Sequence, residues 1–482
     1  MKFRLVCLVI TIFVISAIIP LQAYAQCGDP VPTEPGPTAS TGDVELTFWH
    51  TMDDNEAINL QTIIDTFTEE TNISVVVKRI DPSTAYEQFV QSFDEVNATP
   101  DVFRVETQWT TKLADDNLLL ALCSTYNSTE WADFMPELLM TGMYAGKKFG
   151  VPQTAEIYGL FYNKQQLSNK SINPQFSNLD AFKTAIATLG SDYQNGNYGF
   201  VLSSMMETYL PFMWGKGGNF FTGKIKADNL AINTDGSVAG LEYVNSLISM
   251  PETPTAGMQF NHEIAILGLQ YGNISMTLDN SASIESYLAG PMFNKTAYVE
   301  VFGTSAPSWV GPDNLGIAAI PGDNNDSIGT LLGGYNLVAS KITKYPAEAM
   351  QFVKYLTSVE TNVLLGFKNN FLPARTTALG NYLISQLRSF KTQINDSKSY
   401  PAVPYWNDLE KILDHNLNSY FKNDQTSQQA LENVSVNWIK VMQDFKPQYD
   451  DPNVLKRTIP GFEIFMVALG LGIVSRKLRI KR

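Results

Sequence analysis

The sequence predicts an α/β fold, in which short buried strands alternate with amphipathic helices. Two stretches have the apolar, β-branched composition of strands: "VELTFWH" at 44–50 and "ISVVVKRI" at 73–80. Between them, apolar residues recur with the spacing of one helix face, at Leu60, Ile63, Ile64 and Phe67. Because strand, helix and strand follow one another in this order, we expect a sheet whose faces are covered by helices.

The same alternation continues along the chain. Strand character is found at 101–105 and returns at 315–322 and 334–342. A helix is predicted to begin at Pro346, and the C-terminal third, 405–445, is predicted to consist of helices. The buried faces of the predicted helices are formed by Tyr86, Phe89, Val90 and Phe93, by Ala349, Phe352, Val353 and Leu356, and by Leu431, Val434 and Trp438.

Length and composition bound the class of protein. The chain has 482 residues, enough for two sizeable cores at roughly 100–200 residues per domain. Hydrophobic residues make up 44% and charged residues 17% of the chain, which is typical of a globular protein. The formal net charge is −14. Such a surface repels phosphate backbones, so we do not expect nucleic acid as a partner.

The first 42 residues have the composition of a sorting signal followed by a spacer. The apolar run 5–19 follows two basic residues, and "AYA" at 23–25 provides a small-residue cleavage site. We therefore predict a signal peptide at 1–25. Residues 26–42 contain four prolines and no periodic apolar residues, which is typical of a semi-rigid linker.

The C-terminal segment 451–482 is predicted to be a sorting and membrane-anchoring signal. "PGF" at 460–462 precedes an apolar stretch at 464–475 and five basic residues. This pattern resembles the C-terminal sorting signals of archaeal surface proteins, in which the tail is removed near the motif and replaced by a lipid. The twelve residues of the apolar stretch would span roughly 18 Å as a helix, which is shorter than a hydrocarbon core of about 30 Å. The stretch is therefore a poor permanent membrane span, which favours removal of the tail. An ordinary uncleaved anchor is the alternative.

Cysteines and sequons are consistent with export. Cys7 lies in the predicted signal peptide, which leaves Cys27 and Cys123. Export permits a disulfide between them, whereas the position of Cys27 in a mobile spacer weighs against one, so the pairing stays open. Nine N-x-[ST] sequons mildly favour a glycosylated surface protein. They lie at Asn72, Asn97, Asn127, Asn169, Asn273, Asn294, Asn325, Asn395 and Asn433.

The sequence contains no recognisable catalytic or metal-binding pattern. His50, His262 and His415 are far apart and lack ligand spacing, which argues against a zinc or Ser-His-Asp site. "GNFFTGKI" at 218–225 has the glycine and lysine spacing of a phosphate-binding loop. Ile225, however, stands where Mg²⁺ coordination requires Ser or Thr. We therefore expect no metal and no cofactor.

Several segments occur in the order seen in one known family. They are "TPDVFRVETQW" at 99–109, "YAGKKFGVPQTAEIYGLFYNK" at 144–164, "YGNISMTLDN" at 271–280, "LGGYNLVASK" at 332–341 and "NFLPAR" at 370–375. Together they resemble the extracellular solute-binding proteins of carbohydrate ABC importers, which include the maltose- and trehalose-binding proteins. The likeness covers residues 44–445.

The resemblance implies a type II periplasmic-binding-protein-like fold, with two α/β lobes that are joined by hinge crossings and close on a ligand. The expected divisions are lobe 1 at 43–152 and 336–372, lobe 2 at 153–335 and 373–450, and hinges near 151–155, 333–335 and 372–375.

The resemblance also implies which residues meet the ligand. Glu156 follows the proline of the 144–164 segment, where relatives hold an acid that hydrogen-bonds sugar hydroxyls. A carboxylate accepts such bonds, and aromatic faces stack on the apolar face of a pyranose. The implied ligand-binding residues are Trp49, Asp53, Glu106, Trp109, Glu156, Tyr158, Glu207, Tyr209, Asp279, Asn280, Gly334, Tyr335, Arg375 and Trp406.

We therefore predict an extracellular, membrane-anchored protein that binds a sugar or oligosaccharide and delivers it to ABC permease subunits. It is expected to act as a monomer and not to be an enzyme. Two alternatives stay open. One is a receptor for a peptide, polyamine or phosphorylated solute. The other is a two-carboxylate glycosidase that uses a pair among Glu106, Glu156 and Glu207.

Overall fold

A computed structural model describes residues 44–94, 98–254, 261–288, 290, 298–299, 302, 308–323, 329–369, 371–381, 385–391 and 393–449. The predicted α/β class is confirmed. The strands are β1 Val44–His50, β2 Ile73–Arg79, β3 Val102–Glu106, β4 Met143–Tyr144, β5 Lys147–Lys148, β6 Gly150–Asn163, β7 Val201–Leu202, β8 Met276–Asn280, β9 Leu315–Ala318, β10 Thr330–Ala339, β11 Leu372–Pro373 and β12 Ser397–Lys398.

Within the described residues, ten of these strands form one mixed sheet. Its main path has the order β2-β1-β3-β10-β6-β8-β7. Strands β9 and β11 also pair with β6, β12 pairs with β10, and β4 and β5 form a separate hairpin. The sheet therefore joins strands from both halves of the chain, and β6 and β10 lie at its centre.

Helices cover this sheet. They are α1 Asp54–Thr71, α2 Ala85–Ser92, α3 Thr110–Asp115, α4 Ser128–Trp131, α5 Pro136–Thr141, α6 Lys164–Asn169, α7 Leu179–Leu189, α8 Met206–Gly215, α9 Asp235–Ile248, α10 His262–Tyr271, α11 Ile284–Leu288, α12 Pro346–Leu356, α13 Val359–Asn369, α14 Thr376–Asn381, α15 Ser385–Lys391, α16 Trp406–Phe421 and α17 Ser427–Asp444. Short 3-10 turns connect several of them.

The first strand–helix–strand unit forms as its apolar pattern predicts. β1 and β2 pair in parallel, and the predicted apolar face of α1 is buried beneath them. Phe67 of that face packs against Phe352 of α12 with ring centroids 5.0 Å apart. Phe352 also meets Phe48 of β1 edge-on at 5.3 Å. Helices from distant parts of the sequence therefore share one core.

Two long strands cross the middle of the molecule. β6 is 14 residues long and β10 is 10 residues long, and they pair antiparallel. β6 continues beyond β10 to pair with β8 and β9. Near the same point β11 pairs with Thr154 and Ala155 of β6. Three separate stretches of chain are therefore held together by backbone hydrogen bonds at this crossing.

The C-terminal helices form a second core. Trp406 of α16 and Trp438 of α17 are buried together, with ring centroids 6.1 Å apart. The indole Nε1 of Trp438 donates to the Leu409 carbonyl oxygen at 2.8 Å. Thr426 caps α17 through a reciprocal bond with Gln429, which fixes where this helix begins.

Several predictions fall outside the described residues. These include the signal peptide at 1–25, the linker at 26–42 and the sorting segment at 451–482. Cys123 is disulfide-bonded, and both other cysteines, Cys7 and Cys27, lie outside the described residues. In the part of the chain that the structure describes, no helix is long and apolar enough to cross a membrane.

Candidate ligand-binding cleft

A cavity of about 200 Å³ lies where β6 and β10 pair. The register of the sheet brings residues from separate segments to it, because Tyr335 lies opposite Glu106 and Tyr158 lies opposite Asn280. Glu156 lies two positions from Tyr158 and therefore projects to the same face of β6. The complete lining is Glu106, Thr107, Gln108, Glu156, Tyr158, Glu207, Asn280, Leu331, Gly333, Gly334, Tyr335, Tyr400 and Glu410.

Four carboxylates from four elements line the cavity: Glu106 of β3, Glu156 of β6, Glu207 of α8 and Glu410 of α16. Burial raises the pKa of Glu156 from 4.5 to about 7, even though Arg104 lowers it. Burial, followed by repulsion from Glu207 and Glu106, raises the pKa of Glu410 from 4.5 to about 7. Burial also raises the pKa of Glu106. Because burial disfavours the ionised forms of these carboxyl groups, a ligand that donates hydrogen bonds to them or carries positive charge would stabilise those forms.

Three tyrosines provide the aromatic part of the lining. Tyr158 lies opposite Asn280 in the pairing of β6 with β8. The Tyr400 hydroxyl donates to Glu207 Oε1 at 3.5 Å. The Tyr400 ring packs against buried Trp406 with centroids 4.9 Å apart. These contacts fix the orientation of rings that border the cavity.

Tyr335 stacks against the buried guanidinium of Arg104. The guanidinium carbon of Arg104 lies 3.4 Å from the centroid of the Tyr335 ring. Arg104 Nε donates to Gln153 Oε1 at 3.0 Å, and Nη2 donates to Thr154 Oγ1 at 3.4 Å. Only 2% of Arg104 is exposed. Arg104 therefore does not line the cavity, although its charge lowers the pKa of Glu156 and Glu106 against the larger effect of burial.

Gly334 permits the close approach of β10 to β6. Its φ is +130°, and a Cβ at this position would lie 2.1 Å from the backbone oxygen of Thr154. Glycine avoids both the unfavourable torsion and the clash. The wall of the cavity at this point is therefore backbone.

The structure brings seven of the predicted ligand-binding residues together in this cavity, and their contact with a ligand stays a prediction. They are Glu106, Glu156, Tyr158, Glu207, Asn280, Gly334 and Tyr335.

Three predicted aromatic contacts belong instead to packing. Trp49 is 8% exposed and meets Phe103 edge-on at 6.2 Å. Trp109 packs against Tyr86 at 5.5 Å. Tyr209 is fully buried, and its hydroxyl donates to a backbone carbonyl oxygen. These residues do not line this cavity, and their contact with a ligand stays a prediction.

Two predicted acidic contacts are occupied by bonds within the protein. Asp53 caps α1, where its Oδ1 accepts from Glu56 N and its own N donates to Glu56 Oε2, both at 2.8 Å. Asp279 is 2% exposed and accepts from Ser283 Oγ at 2.8 Å and from the Tyr287 hydroxyl at 2.7 Å. Neither lines the cavity.

Arg375 and Trp406 also lie elsewhere. Arg375 is buried, donates to the Thr357 carbonyl oxygen at 2.6 Å and forms an ion pair with Asp133 at 3.2 Å. Trp406 is 1% exposed and contributes to the cleft only by packing behind Tyr400. Neither side chain lines this cavity, and ligand contact by either stays a prediction.

Sequence reasoning did not select Gln108, Tyr400 or Glu410, which also line the cavity. One signal was available for Glu410. It follows Trp406 by four residues, so one turn of the predicted C-terminal helix places the two side chains on neighbouring positions. Within the described residues, no group of three or more His, Cys, Asp or Glu side chains is arranged to hold a metal ion.

Comparisons with known structures agree with this fold. The GacH receptor of Streptomyces glaucescens, solved unliganded and with acarbose, superimposes with a TM-score of 0.69 at 22% identity, covering 84% of this chain and 100% of that one. A cyclo/maltodextrin-binding protein complexed with maltotetraose gives a TM-score of 0.69 at 18% identity, covering 85% and 100%. The predicted type II periplasmic-binding-protein-like fold is confirmed by these matches.

Comparisons of sequence point the same way. A maltooligosaccharide ABC transporter solute-binding lipoprotein of Streptococcus pneumoniae (strain ATCC BAA-255 / R6) is 23% identical over 356 residues, covering 73% of this chain and 77% of the relative. A binding protein of Brucella abortus (strain 2308) is 21% identical over 331 residues, covering 67% and 74%. The profile of one family matches residues 53–363. The chain therefore belongs to the family described as bacterial extracellular solute-binding proteins.

Proposed function

We propose that the protein is the extracellular substrate-binding subunit of an ABC importer and that its cleft binds a sugar or an oligosaccharide. It acts as a monomer, without catalysis or cofactor. The observation that carries the proposal is the joint presence of four carboxylates and three tyrosine rings in one cavity. The named ligands of relatives, which are maltooligosaccharide, acarbose and maltotetraose, support it.

The chemistry of the cavity suits a pyranose. Sugar hydroxyls donate to carboxylate oxygens such as those of Glu106 and Glu156, which accept two or more bonds each. The apolar C–H face of the ring packs against an aromatic face such as that of Tyr335 or Tyr400. Because the site is partly closed from water, hydrogen bonds within it are electrostatically stronger than at an open surface.

We further propose that two lobes close over this cavity. Lobe 1 comprises 43–152 and 336–372, and lobe 2 comprises 153–335 and 373–450. The pairing of β6 with β10 and β11 supports this division, since the chain would pass between the lobes on these strands. Closure would be driven by the difference in ligand affinity between the closed and open states.

Export and anchoring complete the proposal. The segment 1–25 would direct secretion, 26–42 would serve as a spacer, and 451–482 would be a sorting segment whose tail is removed near the motif at 460–462 and replaced by a lipid. The sequence pattern supports this, and a streptococcal relative is named a lipoprotein. C-terminal peptide analysis of the mature, membrane-associated protein tests it. We expect no peptides from 473–482, and their recovery would leave an uncleaved anchor instead.

A thermal-shift screen against saccharides tests the binding function. A ligand at 100 times its dissociation constant should add about 2.7 kcal/mol to the free energy of unfolding. We expect a clear rise in melting temperature with at least one saccharide, and a smaller rise for Glu156→Gln at the same concentration. Stabilisation by peptides or phosphorylated solutes, with no response to any saccharide, would overturn the proposal.

A further inference from the structure

The wall of the cleft combines four acidic side chains with no basic one among the described residues. Glu106, Glu156, Glu207 and Glu410 all line it, and none of the described residues that line it is a lysine, arginine or histidine. Like charges held together in a site of reduced dielectric repel strongly unless a counter-charge is supplied. The described residues do not place such a counter-charge on the cavity wall.

Arg104 does not fill this role. Its charge acts on Glu106 and Glu156, favouring their ionised forms. Its guanidinium, however, stacks against the Tyr335 ring, is bonded to Gln153 and Thr154, and is not part of the cavity lining. Arg104 therefore moderates the negative field without offering a cation to the ligand.

Two of the four carboxylates in the cavity lack a donor from the described residues. The side chains of Glu156 and Glu410 accept no hydrogen bond from them. Gln108 donates its Nε2 hydrogen to Glu106 Oε2 at 3.0 Å. Its buried Oε1 has no donor among the described residues. A complementary ligand must therefore supply several donors at once.

We propose that the ligand is a saccharide carrying at least one protonated amine, that is, an amino sugar or an oligomer of amino sugars. This inference rests on the proposed function and narrows its substrate class. An ammonium group supplies three donors and one positive charge, which matches a cavity wall that, among the described residues, has two carboxylates without a donor, Glu156 and Glu410, and no basic side chain. The tyrosine rings accommodate both the sugar face and a cation above the ring.

Titration calorimetry with matched pairs tests the inference. The probes are glucosamine with glucose, the β-1,4-linked glucosamine disaccharide with cellobiose, and 2-amino-2-deoxytrehalose with trehalose. At pH 7 we expect the amino sugar of at least one pair to bind with an affinity at least about tenfold higher than that of its neutral partner. That advantage should shrink between 20 mM and 500 mM salt, whereas the affinity for a neutral sugar should change little.

Each other outcome overturns the inference in a distinct way. If the neutral sugars bind as tightly as their amines or more tightly, the inference fails and the proposed function stands. If spermidine binds while no saccharide does, both fail. If none of these probes binds, the protein does not recognise amino sugars of these types, and the inference is rejected.

Matched variants identify the source of the preference. Glu410→Gln and Glu156→Gln should each reduce the amine-to-neutral affinity ratio, by about tenfold for a direct contact. Glu69→Gln removes an exposed carboxylate at the far end of α1 and should leave the ratio unchanged. A ratio that survives in both cleft variants would show that these carboxylates do not recognise the amine.

Discussion

Glu156 is the residue on which the proposed site depends most directly. It lies in the central strand β6 and lines the cavity, and its carboxylate receives no hydrogen bond from the described residues. Glu156→Gln keeps the size of the side chain and removes its charge. We expect saccharide affinity to weaken by about 1–3 kcal/mol, because a charged acceptor is lost. Titration calorimetry measures this loss.

The ligand-free melting temperature is the control for Glu156→Gln. It should stay the same or rise, since the variant no longer buries a carboxylate. A collapse of the melting temperature without ligand would indicate that Glu156 stabilises the fold and does not serve binding.

Glu410 predicts a pH dependence of stability. Burial raises its pKa from 4.5 to about 7 in the folded protein. As the pH rises from about 4.5 to about 7, the unfolded chain ionises first, so the folded state loses stability over this window. Glu410→Gln removes this loss. The melting temperature of Glu410→Gln minus that of wild type should therefore be larger at pH 8 than at pH 4.5.

Thermal melts of the ligand-free protein at these two pH values check the prediction. Glu69→Gln is the matched control, because its side chain is exposed and its difference from wild type should be similar at both. If the melting temperatures of Glu410→Gln and wild type differ by the same amount at both pH values, the pKa of Glu410 is not raised by burial in the folded protein.

Neighbouring residues show why the site could be predicted only in part. Asp279 and Asn280 are adjacent in β8, and successive strand residues project to opposite faces. Asn280 therefore reaches the cavity, while Asp279 bonds to Ser283 and Tyr287. The family resemblance located the segment but did not specify which of the two residues faces the ligand.

At the scale of elements, the pairing of β10 with β6 depends on Gly334. Gly334→Ala places a Cβ against the backbone of Thr154 at a φ of +130°. We expect a loss of roughly 1–3 kcal/mol in the free energy of unfolding, measured by chemical denaturation. Saccharide affinity should fall as well, since the crossing forms the cavity wall.

Gly333→Ala is the matched comparison at the preceding position. A Cβ on Gly333 meets nothing within 4 Å, so the stability of the fold should be nearly unchanged. Gly333 lines the cavity, and the added methyl group should lower affinity alone. Equal stability of the two variants would contradict the tight β6–β10 crossing.

Elements with a regular apolar pattern were predictable, whereas the central strand was not. β1 and the buried face of α1 follow directly from composition and spacing. β6 contains Pro152 and Gly159 and is flanked by polar residues, so no strand is predicted from its pattern alone. It forms because β8, β9, β10 and β11 pair with it from both sides.

Long-range assembly also explains the missed and misplaced site residues. Tyr400 and Glu410 come from a C-terminal region that packs beside α8, and no local pattern links them to β6. Arg375 follows β11, whose backbone does pair with β6. Its side chain, however, is held by Asp133 and Thr357, so proximity along the chain did not imply contact with the cavity.

At the scale of the whole molecule, the proposal predicts a change of shape. If two lobes close over the cleft, the ligand-saturated protein should have a smaller radius of gyration than the ligand-free protein. Small-angle scattering measures this with a saccharide that raises the melting temperature. A saccharide that gives no thermal shift is the control. Identical radii at saturation would indicate a rigid scaffold.

The proposed binding site is tested most sharply by a crystal structure of the protein with the saccharide that raises its melting temperature most. We expect the saccharide to occupy the cavity at the β6–β10 crossing. Its ring should lie against Tyr335 or Tyr400, and its donors should be bonded to Glu156 and Glu410. A saccharide bound at full occupancy anywhere else, with this cavity empty, would contradict it.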